Sequence, residues 1–315
     1  MIYDFIVESW HFDQQGKSTP IESNAQLEND SYWLHCNRSS AQFEKWLMDE
    51  GVDESIIESL LASDTRPRFQ QIDDSSFFLI LRGVNLNAGK EPDDMLSIRL
   101  LYTPKRVITC NLQQSKAIAS VAKDLRKARG PENIEQLVIA ILTQLNAKID
   151  AVIEPIEDFI NAQDSDEFSN EQISEINSQH RKLLKLNRFL KPQLYALSAL
   201  SKNDIAAFEP YKVNIANQLD TLQRIVDTID FYIAQIDVIN NRIAQLNSEV
   251  MNRNTYLLSI IAGIFLPLGF LTGLFGINIG GMPGVENSSA FYWFCGLLTG
   301  IGVFEIYLFK RLRFL

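Results

Sequence analysis

The chain has 315 residues, with 29 basic side chains, 39 acidic ones and three cysteines, for a net charge of −10. All but four of the basic and all but two of the acidic residues precede position 251, so that part carries twelve negative charges in excess. Such an acidic body lacks the basic footprint of a nucleic-acid surface. Cys36, Cys110 and Cys295 are scattered and include no C-x-x-C pair, which argues against a disulfide framework or a thiolate metal site and for reduced apolar fillers. The start, Met1-Ile2-Tyr3-Asp4, lacks the basic-then-apolar pattern of a secretory signal peptide.

In chain order, residues 1–130 are expected to form one α+β domain. Ile2–Val7, Tyr32–Cys36, Phe77–Val84, Leu96–Tyr102 and Val107–Cys110 are short β-rich runs bounded by polar and turn residues. Ala41–Glu50 and Glu54–Leu61 have helical spacing, Asn87-Ala88-Gly89-Lys90 reads as a hairpin tip, and a helix over about 113–128 stops at Arg129-Gly130-Pro131. Residues 131–250 then lose every strand signal. Ile134, Leu137, Val138, Ile141, Leu145, Ile149 and Ile153 repeat at three and four residues, as one face of a long helix does. A second helix is expected over about 170–200, with Pro192 kinking or ending it. A third starts near Pro210 and keeps its period without Gly or Pro until Gly263, which predicts one helix of about 65 residues, roughly 100 Å at 1.5 Å per residue.

Residues 251–315 hold two apolar runs, about 256–275 and 290–309, each as long as a helix needs to cross roughly 30 Å of hydrocarbon. They flank a short loop, 276–289, that has no Lys or Arg, whereas Arg253 precedes the first run and Lys310, Arg311 and Arg313 follow the second. The positive-inside rule then places both termini in the cytoplasm and the loop outside, as for a multi-pass protein of a bacterial inner membrane. Phe291, Tyr292 and Trp293 read as an interfacial aromatic belt against the lipid.

Taken every third or fourth residue, the first run presents Asn252, Thr255, Ser259, Ala262, Leu266, Gly269 and Gly273, a stripe that is small or polar except at Leu266. Two readings fit it. Several copies with the stripe inward would line a water path, in which a Leu266 ring would be an apolar constriction able to gate by dewetting. Alternatively the stripe packs on the second run, whose own small face is Gly296, Gly300 and Gly302, in the manner of small residues between membrane helices. Pro267 sits mid-run, where neighbouring groups can satisfy the carbonyl it frees.

Phe265-Leu266-Pro267-Leu268, Gly273-Leu274-Phe275-Gly276-Ile277-Asn278 and Gly281-Met282-Pro283-Gly284 together resemble the signature of the CorA superfamily of divalent-cation transporters, and within it the ZntB zinc-transporter branch. That resemblance extends over the whole plan: an α+β cytosolic domain, long antiparallel helices, and a stalk helix continuing into a two-helix membrane hairpin. It implies a CorA-like homopentamer with a pore lined by the first span, a selectivity filter at Gly276, Ile277 and Asn278, and an external loop carrying Met282, Pro283 and Glu286. Asn278 would form a ring of amides that holds a metal ion through its hydration shell. The transported ion would be Zn²⁺, coupled to H⁺, with Mg²⁺, Co²⁺, Ni²⁺ and Cd²⁺ as the family's other cargoes and no covalently bound cofactor. Ile277 stands where the family has Met, and Gly284 where magnesium transporters have Glu; both departures favour zinc. Asn217 and Asn241 fall where several magnesium channels carry sensing or binding aspartates, so magnesium-gated closure is not expected.

Glu305 is the one formal charge inside either run, and it is expected to pair with Lys310 or to snorkel toward Arg253, with proton coupling as the other possibility. His11, His35 and His180 are far apart and none has a partner three or four residues on, so no zinc site is expected from them. Asp73-Asp74 and Asp93-Asp94 read as loop charges. No nucleotide loop, triad or carboxylate pair points to an enzyme. A channel for Mg²⁺, Co²⁺ or Ni²⁺, and, from another class, a membrane-anchored sensor or scaffold, remain the alternatives.

Overall fold

The computed structural model describes residues 3–13, 15–21, 31–163, 168–276 and 287–311, in two compact units, Met1–Val238 and Ile239–Leu315. In the first unit β1 (Ile6–Phe12), β2 (Ser18–Pro20), β3 (Ser31–Asn37), β4 (Arg68–Gln71), β5 (Phe77–Gly83), β6 (Leu96–Thr103) and β7 (Arg106–Asn111) form one sheet in the order β2-β1-β3-β7-β6-β5-β4. Only β3 and β7 run parallel; every other neighbour is antiparallel.

The strands β3, β5, β6 and β7 are buried on both faces, which is why they read as continuous apolar runs rather than as alternating ones. One face packs under α1 (Ala41–Asp49) and α2 (Glu54–Leu61): Phe43, Trp46, Leu47, Ile56, Ile57 and Leu60 meet Leu34, Phe78, Ile80 and Ile108. Each helix starts where the sequence supplies a cap. Ser40 Oγ accepts from Gln42 N at 3.3 Å and Asp53 Oδ1 from Ser55 N at 2.8 Å, satisfying donors that the first turn leaves unbonded.

On the other face lie α3 (Lys116–Arg126) and α4 (Ile134–Asn161). Gly83 of β5 is what lets α4 approach: a Cβ there would stand 2.7 Å from Leu145 Cδ2. α4 is apolar enough to cross a membrane by composition, but it spends that face in the core, from Ile134 through Leu145 to Ile160. α5 (Asn170–Ser201) opens with a reciprocal Ser169/Gln172 capping box and continues past Pro192, so of the two expected effects of that proline the helix does not end there. One missing N–H among some thirty residues costs a single helical bond, and Gln193 next to it is anchored by accepting from Arg82 N at 2.6 Å.

After a short 3-10 turn at Ala206–Tyr211, α6 (Lys212–Gly276) runs for 65 residues, the length expected. Within the first unit Asn146 Nδ2 of α4 donates to the Gln218 carbonyl of α6 at 3.0 Å. On α5, Asn187 Nδ2 donates to Asp230 Oδ1 at 2.6 Å and His180 lies 3.5 Å from Asp237, so α5 runs antiparallel to α6.

Three strand expectations change. The N-terminal strand is Ile6–Phe12 rather than Ile2–Val7, because pairing with β3 continues to Phe12↔Ser31 across a bulge between Ile6 and Glu8. The edge strands β2 and β4 were not expected; β4, Arg68-Phe69-Gln70-Gln71, is largely exposed and carries no apolar alternation. Cys36 and Cys110, distant in sequence, are partners across the β3–β7 ladder, both free and buried.

Candidate ion pathway

The second unit is built from the end of α6 and from α7 (Ala290–Arg311), which Ser289 and Asn287 start by accepting first-turn amides. Both helices have 18-residue windows of high mean hydropathy, 2.2 and 1.5, and none of either window is buried within the protein. Phe291, Tyr292 and Trp293 stand more than two-thirds exposed. By length and apolar composition both helices could cross a membrane.

The two helices touch along one stripe of each. On α6, Ile260, Gly263, Ile264, Pro267, Leu268 and Leu271 are half-buried, at three- and four-residue spacing. Gly263 marks the closest approach, since a Cβ there would meet the Phe309 ring at 2.7 Å. Gly302 of α7 lies over Leu268, and the Phe275 and Phe294 rings tilt together at 5.0 Å.

Asn252, Thr255, Ser259, Ala262, Leu266, Gly269 and Gly273 lie elsewhere: every one is exposed. At 100° per residue their line falls about 140° round α6 from the stripe that meets α7. A Cβ added at Gly269, Gly273, Gly296 or Gly300 would meet nothing within 4 Å. Packing on α7 of the same chain therefore does not account for the small residues of the stripe. Ser259 Oγ donates to the Thr255 carbonyl at 2.9 Å, so what it presents outward is oxygen lone pairs, the right polarity for a cation or its water. Of the residues expected to form a filter, Gly276 ends α6; Ile277 and Asn278, with Met282, Pro283 and Glu286 of the expected external loop, lie outside the described residues.

A family profile described as CorA-like Mg²⁺ transporter protein matches residues 28–311. The chain belongs to the CorA-like family. It is 38% identical to the zinc transport protein ZntB of Vibrio parahaemolyticus over 98% of this chain and 97% of that one. It is 34% identical to the divalent cation transporter CmaX of Pseudomonas aeruginosa, over 92% and 89%. Among solved structures the full-length CmaX protein superposes with a TM-score of 0.82 at 30% identity, covering 99% of this chain and all of that one. This CorA-like chain is a membrane transporter and not an enzyme.

Glu305 departs from expectation. Among the described residues it makes no ion pair with Lys310 or Arg253, and its Oε2 is buried without a hydrogen-bond partner. The reason is helical geometry: five residues along an α-helix turn a side chain about 140° away, so Lys310 faces elsewhere. Glu305 instead shares the half-buried line of Phe294, Leu298, Ile301, Gly302 and Phe309 that α7 turns to α6.

The histidines of this CorA-like chain are not brought together. His35 is buried in the sheet with Nδ1 2.8 Å from Thr109 Oγ1, and burial pulls its pKa down to about 4 against the pull of its Thr109 and Asn111 hydrogen bonds. His180 faces Asp237 on α6. No group of three His, Cys, Asp or Glu side chains that could hold a metal occurs among the described residues. Asp73 caps its own loop through Ser75, whereas Asp93 is buried and paired with Lys185 at 2.8 Å, more than a loop charge. Asn217 and Asn241 are exposed on α6.

Proposed function

We propose that this transporter imports Zn²⁺ together with H⁺, as a homopentamer in the bacterial inner membrane with both termini cytoplasmic, and that the α6 stripe lines the ion path. The observation that carries the reading is the open line from Asn252 to Gly273, polar or small and turned away from α7. A lone helix in lipid gains nothing from such a line; copies of it around an axis enclose water. The ZntB relative, named for zinc, supports the choice of ion.

In this mechanism Asn278, with Gly276 and Ile277, meets the hydrated ion at the outer mouth. Amide oxygens hydrogen-bond its water shell and so hold it without stripping it, weakly enough for release inward. The ion then passes the Leu266 ring, the narrow apolar point, and meets Ser259, Thr255 and Asn252, whose oxygens replace bulk water along the inner half. Glu305 on the α6–α7 seam supports proton coupling: it is a carboxyl group inside the span whose Oε2 is buried without a hydrogen-bond partner among the described residues. Phe291, Tyr292 and Trp293 sit among lipid headgroups.

Zinc influx into liposomes reconstituted with the protein tests this. Uptake that collapses in Asn278→Ala and quickens with an inward proton gradient supports it. A second reading, a Mg²⁺ channel, has the family description in its favour; magnesium flux that exceeds zinc flux and ignores the gradient would establish that reading instead.

A further inference from the structure

A cavity of about 290 Å³ opens at the sheet edge where β3, β5 and β7 end and β6 begins, near the lower limit of small-molecule sites. Arg38, Arg82 and Lys90 line it with Asn85, Ser63 and Ser97, against a single carboxylate, Asp94, which Lys185 approaches at 3.5 Å. Arg99, wholly buried, lies close enough for its charge to be felt at Arg38 and Arg82. In a region with twelve excess negative charges, this is an island of positive charge.

None of the three arginines is ion-paired among the described residues, although the Asp64 carboxylate lies near enough for its charge to be felt at Arg82. They donate to dipoles instead. Arg38 Nη1 reaches the Leu61 and Ala62 carbonyls at 3.0 and 3.2 Å, Arg82 the Met95 carbonyl at 3.2 Å and that of Thr65, and Arg99 the carbonyls of Leu60 and Ala62. Arg82 is nine-tenths buried, stacked at 4.5 Å on Phe189, and its Nε has no partner. Carbonyls orient a guanidinium but do not cancel its charge, and like charges held in a poorly polarisable interior repel strongly. An anion in the cavity would supply what is missing.

We propose that this cavity is a binding site for a small oxyanion of the phosphate class, inorganic phosphate or a phosphomonoester. A tetrahedral dianion matches planar guanidinium donors, and the ammonium, hydroxyl and amide groups of Lys90, Ser63, Ser97 and Asn85 supply hydrogen bonds round it. Its occupant would tie the end of β7 to the α2–β4 and β5–β6 connections.

Titration calorimetry on the full-length protein in detergent, in metal-free buffer matched with chloride, tests this with two probes, inorganic phosphate and glycerol phosphate. One saturable site per chain is expected for at least one probe, and the tighter of the two identifies the source. Lys90→Glu, exposed on its turn, should weaken binding about tenfold or more with thermal stability unchanged. Arg38→Gln should weaken binding as well, with some loss of stability because the Leu61 and Ala62 carbonyls lose their donor, and Lys105→Glu, at the opposite end of the β6–β7 pair, should leave binding unchanged. No saturable binding of either probe, affinity indifferent to Lys90→Glu, or equal loss in Lys105→Glu would overturn the proposal.

Discussion

Ser259→Leu separates a water-lined path from an inert seam. Ser259 is exposed on the face of α6 away from α7, and its hydroxyl bonds only back to the Thr255 carbonyl. Leucine suits a helix better than serine, and the carbonyl keeps its main-chain bond, so folding should change by no more than about 0.5 kcal/mol. Transport should change far more. Hydrogen bonds to charged groups contribute roughly 1.5–3 kcal/mol, so withdrawing the oxygen from a passing hydrated cation should slow flux roughly 10- to 150-fold. Gly263→Ala is the converse control: its Cβ would stand 2.7 Å from the Phe309 ring, so it should cost about 1–3 kcal/mol of hairpin stability. Zinc-dye influx and thermal melts on the same reconstituted preparations read both. Full flux in Ser259→Leu, with normal melting, would refute the assignment of this face to the ion path.

Three further outcomes follow from particular residues. Glu305→Gln keeps the shape of the side chain and removes its titration, so zinc influx should persist but lose its acceleration by an imposed proton gradient; an unchanged gradient response would remove Glu305 from coupling. Gly83→Ala should lower the melting temperature of the first unit by several degrees, since its Cβ must displace the buried Leu145 at about 1–3 kcal/mol; an unaltered melt would show that α4 yields freely. His35, with its folded pKa near 4 against 6.5 when unfolded, takes up its proton more readily in the unfolded chain. Stability should therefore be level above pH 6.5 and fall toward pH 4, by on the order of 3 kcal/mol, and His35→Gln should flatten that part of a denaturation–pH profile.

Long periodic segments were legible from sequence because their apolar faces repeat over many turns: α4, α5 and α6 begin or end within a few residues of expectation. β2 and β4 were not, since edge strands with a solvent side need no alternation and carry little apolar content. The extent of β1 is set by its partner β3, not by its own residues. At the site, sequence alone left the stripe of α6 divided between pore and packing; the position of α7, marked by Gly263 and Phe309, shows that the stripe does not face α7 of its own chain. Glu305 was assigned a partner by nearness in sequence, although counting α7 by turns would have put it on the seam with Ile301 and Phe309. The cavity lined by Arg82 and Ser97 was not legible either, because it exists only once β5 and β6 pair and bring those two residues side by side.

The most direct measurement is zinc influx into sealed liposomes carrying the purified wild-type protein or Asn278→Ala, beside protein-free vesicles. Rapid zinc accumulation with the wild type, reduced to the protein-free rate by Asn278→Ala, is the result expected of a zinc path that admits its ion through the Asn278 ring at the outer mouth. Wild-type vesicles that admit zinc no faster than empty ones would contradict it.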